Sequence, residues 1–270
     1  MAMRDGLRLY WLYVKLSIRA QLQYRAAFCL AALGQFLVNG IEFLGVWALF
    51  ERFGRLYSWS LPEVAVFYGL VNCTFACADA LSTGFDYFGV TYIKTGHFDR
   101  LLLRPRSTIL QLAGHELALR RIGRFVQGLV VFLWAASVLK LDWSFGRMGL
   151  VLFTILGGVC FFFGLIVIQA TLAFWTTETF EVMNTLTYGG VESAQYPMAI
   201  YHATFRRFLT FVVPLACVSY FPVVGVLGVA DPLGSPRWLQ YLAPLCGILF
   251  LSACLVLWKW GVRHYTSTGS

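Results

Sequence analysis

Three stretches of this chain, Met148 to Thr177, Phe208 to Ala230 and Trp238 to Trp258, contain no Asp, Glu, Lys or Arg. A bilayer core of roughly 30 Å is crossed by about 20 apolar helical residues, so each stretch is long enough to span it. Composition points the same way. Hydrophobic residues make up 59% and charged residues 13% of the 270, where a water-facing globule carries about a quarter charged. Lipid must therefore be the solvent for most of the surface.

Three further runs complete a set of six: Ala26 to Phe50, interrupted by Glu42; Val64 to Gly84, interrupted by Asp79 and made half polar by Asn72 and Thr74; and Phe125 to Leu139, flanked by Arg124 and Lys140. Long cationic side chains can reach the interface from such flanks. The expected architecture is an all-α integral membrane protein forming one domain over residues 1–270, with spans near 26–50, 63–84, 120–139, 148–175, 206–229 and 238–259. No internal repeat, low-complexity tract or linker divides it, and no two glycines are spaced as the GxxxG dimer motif.

Residues 1–25 are basic and lack the continuous apolar core of a cleavable signal. On a helical wheel Leu7, Trp11, Val14 and Ile18 share one arc beside Arg8, Lys15 and Arg19, as in an interfacial helix. Leu9, Leu12 and Leu16 lie opposite, which predicts protein cover on that face. The seven cysteines fall in or beside apolar spans and read as small packing residues. Cys73 and Cys77, one turn apart, lack the His or second Cys pair of a metal site.

Positive charge orients the spans. With six spans, sixteen Lys and Arg fall on one side, Arg206 and Arg207 among them, and five on the other: Arg52, Arg55, Lys140, Arg147 and Arg237. Both termini are therefore expected in the cytoplasm. The net charge of +8 serves orientation and anionic headgroups, and a nucleic-acid partner is not implied. The loops on the cytoplasmic side, 85–119 and 176–204, are long, whereas those outside are short. Arg120, Arg121 and Arg124 read as a basic collar at a span entry, with lipid phosphate as the sharper alternative.

Chemistry within the chain is sparse. A phosphate-binding loop needs Gly before its Lys, and the four lysines follow Val, Ile, Leu and Trp. His115-Glu116 lacks the second His of a zinc-protease helix, and no Gly-x-Ser-x-Gly occurs. The chain is thus expected to be no enzyme. Candidate pathway or gate residues are the two intramembrane acids Glu42 and Asp79, which either face a cavity or sit near span ends, with Glu42 paired to Arg52 or Arg55. To these are added Tyr196-Pro197, after a stretch read as an interfacial helix broken at Gly189-Gly190 or a gate, and Pro214 and Pro222, each expected to kink the fifth span.

Between spans two and three the chain reads YIKTGHFDRLLLRPRSTIL, Tyr92 to Leu110. Pro105 ends any helix at or before Arg104, so a short helix from Phe98 to Arg104, opened by Gly96 and with Asp99 in its first turn, is expected to lie across the cytoplasmic face. The segment Gly96-His-Phe-Asp-Arg-Leu-Leu-Leu-Arg-Pro105, the tail Trp260 to Ser270 with its Tyr-x-Ser-x-Gly pattern, and the six-span layout resemble an ABC-2 family transporter permease. The likeness covers essentially the whole chain. It implies a type V exporter-like half-transporter in a bacterial inner membrane, paired with a second, identical or paralogous permease among membrane lipids. It also implies a separate ABC ATPase subunit that binds ATP and magnesium, leaving this chain without a cofactor of its own. Carried over by residue, the ATPase-coupling element is Gly96, Asp99, Leu101, Leu102, Leu103, Arg104 and Pro105. The cargo so implied is an amphipathic or cationic small molecule or a lipid. The residues alone leave two other classes open: an ion-coupled secondary transporter using Glu42 and Asp79, and a non-catalytic membrane assembly factor.

Overall fold

A computed structural model describes residues 2–115, 117–176 and 180–266. Helix α1 (Ala2–Gln23) is followed at Tyr24, which leaves helical geometry, by α2 (Arg25–Phe53) and α3 (Leu61–Asp86). Next come a π-turn at Gly89–Ile93, the short α4 (Phe98–Leu102) and α5 (Thr108–His115), then α6 (Ile122–Val138) and α7 (Phe145–Leu172). The last third holds α8 (Phe180–Ala194), α9 (Ala203–Arg207), α10 (Leu215–Val218), α11 (Tyr220–Leu227), α12 (Arg237–Leu242) and α13 (Leu245–Arg263).

Among the described residues, five helices are long and apolar enough to cross a membrane: α2, α3 with its π-turn, α6 with the turn before it, α7 and α13. Helix α3 is the axis, and most of its side chains are buried against α6 on one flank and α7 on the other. Its start is fixed by the Glu63 carboxylate, which accepts the Ser60 N–H at 2.8 Å, a reciprocal capping arrangement that satisfies an otherwise orphaned donor. Helix α2 is peripheral and turns Leu30, Leu33, Leu37, Ile41 and Leu44 outward, as a lipid-facing or partner-facing helix does.

The bundle has two ends. One, the basic end, gathers the start of α2, the end of α3, α4, α5 and the start of α6. The loop end gathers the short connections 54–60, 139–144 and 228–236. Helices α7 and α13 run parallel: Gly157 meets Pro244 and Gly247, Gly164 meets Phe250 and Cys254, and Gly261 meets Thr171 and Phe174. Two parallel neighbours require one return passage between them, and α8 makes it. Near its middle Tyr188 packs on Phe75, halfway along α3, with ring centroids 5.6 Å apart. Just beyond its end Tyr196 lines a cavity with Val46, Phe50, Phe53 and Arg55 at the loop end.

The expected fifth span over 206–229 is therefore corrected. Those residues form two arms, 203–212 and 215–227, bent by 74°. Both arms have an end at the loop end. Arg206 and Arg207 share a cavity with Leu233, Ser235 and Leu239, and Gly228 lies against Arg147. The bend reaches inward to Val218, beside Gly247. Only one of the two prolines makes the break. Pro214 follows Val213, which has left helical geometry, whereas Pro222 lies in the first turn of α11, where a missing N–H costs no intrahelical bond. Helix α8 passes through Gly189 and Gly190 unbroken, correcting the expected interruption.

Three smaller expectations also shift. The last span begins at Leu245 rather than 238, because Pro244 starts a new helix after the separate α12. Arg206 and Arg207 move to the loop end, leaving fourteen cations against seven, an unchanged orientation. On α1 the protein-facing side is Tyr13, Ser17 and Gln21, while Leu12 and Leu16 are exposed. The reason is polar: the N–H groups of Leu117 and Leu119 need acceptors, and Ser17 Oγ at 3.0 Å and Gln21 Oε1 at 3.1 Å supply them. The side chains of Leu7 and Leu9 lie outside the description.

Candidate functional site: a docking ridge and a buried polar ladder

At the basic end Gly96 takes a positive φ of 68°, a turn open to glycine without steric cost, and α4 starts two residues later. The helix is shorter than expected, ending at Leu102 with Leu103 as its cap, since the chain must already turn into Arg104-Pro105. Its leucines divide sharply. Leu101 is 7% exposed, Leu102 42% and Leu103 85%. Arg100, Arg104, Pro105 and Arg106 are exposed around them. Asp99 lies in the first turn, where a carboxylate suits the helix dipole.

The inner side of α4 is anchored by rings. Phe98 is fully buried, with centroids 4.9 Å from Tyr265, 5.2 Å from Phe88 and 5.4 Å from Phe174, and Trp258 completes the cluster. Trp258 Nε1 donates to Thr108 Oγ1 at 3.1 Å, and Gln111 Nε2 donates to the carbonyls of Leu101 and Arg106. These contacts tie α4 to α13, to the end of α7 and to α5. In turn α5 packs closely on α3, where Leu112 abuts Gly84, and on α1, where Gly114 meets Tyr13. The tail motif thus enters through Tyr265, while residues 267–270 lie outside the described part.

A second polar feature runs through the apolar bundle. Asn72, Asp79 and Asp86 lie seven residues apart, on one face of α3. Asp79 Oδ2 is 2.8 Å from Arg121 Nε, and Arg124 Nε donates to Asn72 Oδ1 at 2.7 Å with its guanidinium 4.7 Å above the Phe75 ring. Asn72 Nδ2 donates to the Tyr68 carbonyl, and Tyr68 Oη donates to Asn39 O of α2 at 2.7 Å. Below, near Asp86, Gln169 Nε2 of α7 donates to Asn184 Oδ1 of α8 at 3.3 Å. Arg121 and Arg124 thus turn into the bundle, correcting the expected collar. Buried charges need partners, and α3 provides them.

Glu42 sits on the exposed side of α2, near enough for Tyr68, Arg124 and Tyr196 to feel its charge. The expected pairing with Arg52 or Arg55 is not among the ion pairs of the described residues. Asp79 is paired with Arg121, whereas Arg124 bonds Asn72, and no ion pair joins Glu42 to either arginine among the described residues. Tyr196 stands close by on a cavity of about 270 Å³, and Pro197 begins the 3-10 turn Met198–Ile200. Pro214 and Pro222 belong to the bent unit instead. Tyr68, Asp86, Gln169, Asn184 and Tyr188 were not singled out by sequence, and Asn72 only as a polar residue of the second span, although the seven-residue spacing of the α3 polar residues was a readable signal. No group of three or more His, Cys, Asp or Glu able to hold a metal occurs among the described residues. Cys73 donates its thiol to Phe125 O at 3.5 Å.

A family model described as ABC-2 family transporter protein matches residues 36–269. No curated protein and no solved structure matches the chain.

Proposed function

This chain belongs to the ABC-2 family of transporter proteins, and from that premise we propose that it is the permease half of an ATP-driven exporter, worked through α4 by a separate ATPase. The observation that carries the reading is the division of leucines on α4. Phe98 and Leu101 fix the helix from within, while Leu102 and Leu103 stand out among arginines at the basic end. An apolar ridge ringed by charge is what a partner's groove takes up. Membrane lipid is the alternative cover.

On this reading the basic end faces the cytoplasm and α8 is the fifth of six spans, which leaves both termini cytoplasmic. ATP and magnesium bind to the ATPase subunit. Its closure pushes α4, and the Phe98 cluster passes the displacement to α7 and α13 while α5 passes it to α1 and α3. A displacement of α3 against α6 and α8 changes the spacing of the polar ladder, and two alternating spacings suffice for alternating access. A second permease, identical or paralogous, covers the outward face of α2. The cargo class is an amphipathic or cationic small molecule or a lipid, which enters from the cytoplasm or the inner leaflet and leaves at the loop end. Asp79 is held by Arg121, so an ion-coupled cycle on Glu42 and Asp79 gains no support from the geometry.

The test is co-purification of the chain with a candidate ABC ATPase in lipid nanodiscs, followed by ATP hydrolysis across a panel of lipids and cationic amphiphiles. Association and cargo-stimulated hydrolysis are expected. Transport by the purified chain alone, driven by a proton gradient without ATP, would overturn the reading.

A further inference from the structure

At the loop end, a cleft of about 680 Å³ lies between α7, the end of α11 and α12, lined by Arg147, Gly228, Asp231, Ser235, Arg237 and Gln240 among others. Its charges do not cancel. Asp231 is already engaged: Oδ1 accepts from Tyr220 Oη at 2.5 Å and Leu233 N at 2.8 Å, and Oδ2 accepts from Ser235 N at 3.0 Å. The carboxylate is thereby committed to its own loop and not to the arginines. Arg147 is half-buried, its side chain 25% exposed, and its ion pair with Asp142 is long, 3.9 Å, to a carboxylate that is 97% exposed.

Arg147 is also held in place. Its Nη1 donates to the Asp142 carbonyl at 3.0 Å, and Nη2 lies over Gly228, 2.7 Å from where a Cβ would stand. Gly228 has a φ of 69° and ends α11, so the turn is both left-handed and bare where the guanidinium crosses it. Arg237 offers a second cation on the same cleft and is exposed. The guanidinium's ion pair is thus long and its partner in solvent, which leaves its cleft-facing side free to take a second anion from outside. Two guanidiniums facing one cleft present paired N–H donors suited to phosphate oxygens.

We propose that this cleft binds a phosphate group, from a phospholipid headgroup in the leaflet at the loop end or from free phosphate, between Arg147 and Arg237. Trp238 and Tyr241 are exposed beside it, as aromatic side chains are at the headgroup level of a membrane. The bound group would link α7 to α12 across the mouth of the bent unit. The inference does not depend on how α4 docks.

The experiment uses the full chain, stripped of lipid in an uncharged detergent, titrated with phosphatidylglycerol and followed by native mass spectrometry. A separate arm adds inorganic phosphate as competitor. One tight lipid adduct is expected, and R147Q/R237Q should weaken it by at least about tenfold, the loss of two charge-assisted contacts. R52Q/R55Q, which removes two cations at the same end outside the cleft, should leave it unchanged. Displacement by inorganic phosphate assigns the site to free phosphate, and resistance to it assigns the site to lipid. Because R147Q could disturb α7, the exposed R237Q alone must also weaken the adduct and R147K must retain most of it. Equal loss in R52Q/R55Q, or no loss in R237Q and R147Q/R237Q, would overturn the proposal.

Discussion

Arg121 Nε lies 2.8 Å from Asp79 Oδ2 with both side chains largely buried, 17% and 4% exposed. The pair joins the start of α6 to α3 directly above the point where Ala118 N donates to Ala80 O. It therefore lies between the attachments of α1 and α5 at the basic end and the polar ladder within the bundle. Removing one member leaves the other charge buried and unpaired, which costs about 3–5 kcal/mol, whereas removing both costs much less. D79N and R121Q should each lower the melting temperature in detergent, and D79N/R121Q should lie nearer the parent than the sum of the singles. Strictly additive losses would show that the two side chains do not stabilise one another.

The leucines of α4 separate docking from folding. L103D places a charge on a side chain already in solvent, so melting should be unchanged while association with the ATPase falls by about 2 kcal/mol or more, the scale of an interface hot spot. L101D instead forces a carboxylate into the cluster under α4 and should lower the melting temperature itself. Full co-purification of L103D and L102D with stimulated hydrolysis would remove α4 as the docking element.

Phe98 and Tyr265, 4.9 Å apart and nearly perpendicular, join α4 to the chain after α13. An edge-to-face pair contributes about 0.5–1.5 kcal/mol beyond its buried area, enough to bias a displacement but not to hold the fold. Y265A should still bind the ATPase through its intact leucines yet lose cargo stimulation of ATP hydrolysis several-fold, and Y265F should restore it. A Y265A chain with unchanged stimulation would place the transmission elsewhere, with α5 as the remaining route.

Much of this organisation is visible in the residues before any folding. The charge-free runs became α7 and α13, and Gly96 and Pro105 bracketed α4. The failure at the fifth span has a physical cause. Residues 208–230 are longer and more apolar than α8, which carries Glu192, Asn184 and two glycines, so hydropathy favours the segment that dips and returns over the one that crosses. Helix α8 tolerates its polar residues because Asn184 meets Gln169 and Tyr188 meets Phe75, pairings between distant segments that no local window contains. The α3 side of the ladder was readable from its seven-residue spacing, but its partners were hidden for the same reason. Arg121 and Arg124 read as a collar until the opposite face of α3 is known to carry Asp79 and Asn72.

Asp231 supplies a pH dependence whose sign can be worked out. It lies in the loop before α12, outside the spans. Partial burial pushes its pKa up, but hydrogen bonds from the Ser235 and Tyr220 side chains and the Leu233 and Ser235 amides outweigh this and hold it below the ordinary value. A carboxylate with a depressed folded-state pKa adds stability that is fully present above its unfolded value, about 3.9, and is lost as pH falls through the folded value. The melting temperature in detergent should therefore be insensitive to this group at neutral pH and fall below about pH 4. D231N should be less stable at neutral pH by about 1–3 kcal/mol, because its amide nitrogen would turn a donor toward the tyrosine hydroxyl or a backbone N–H that needs an acceptor. It should also show a shallower acid loss than the parent. An identical acid profile in D231N would show that other carboxylates carry the whole transition and that the Tyr220 and Asp231 contact leaves the bent unit no more stable.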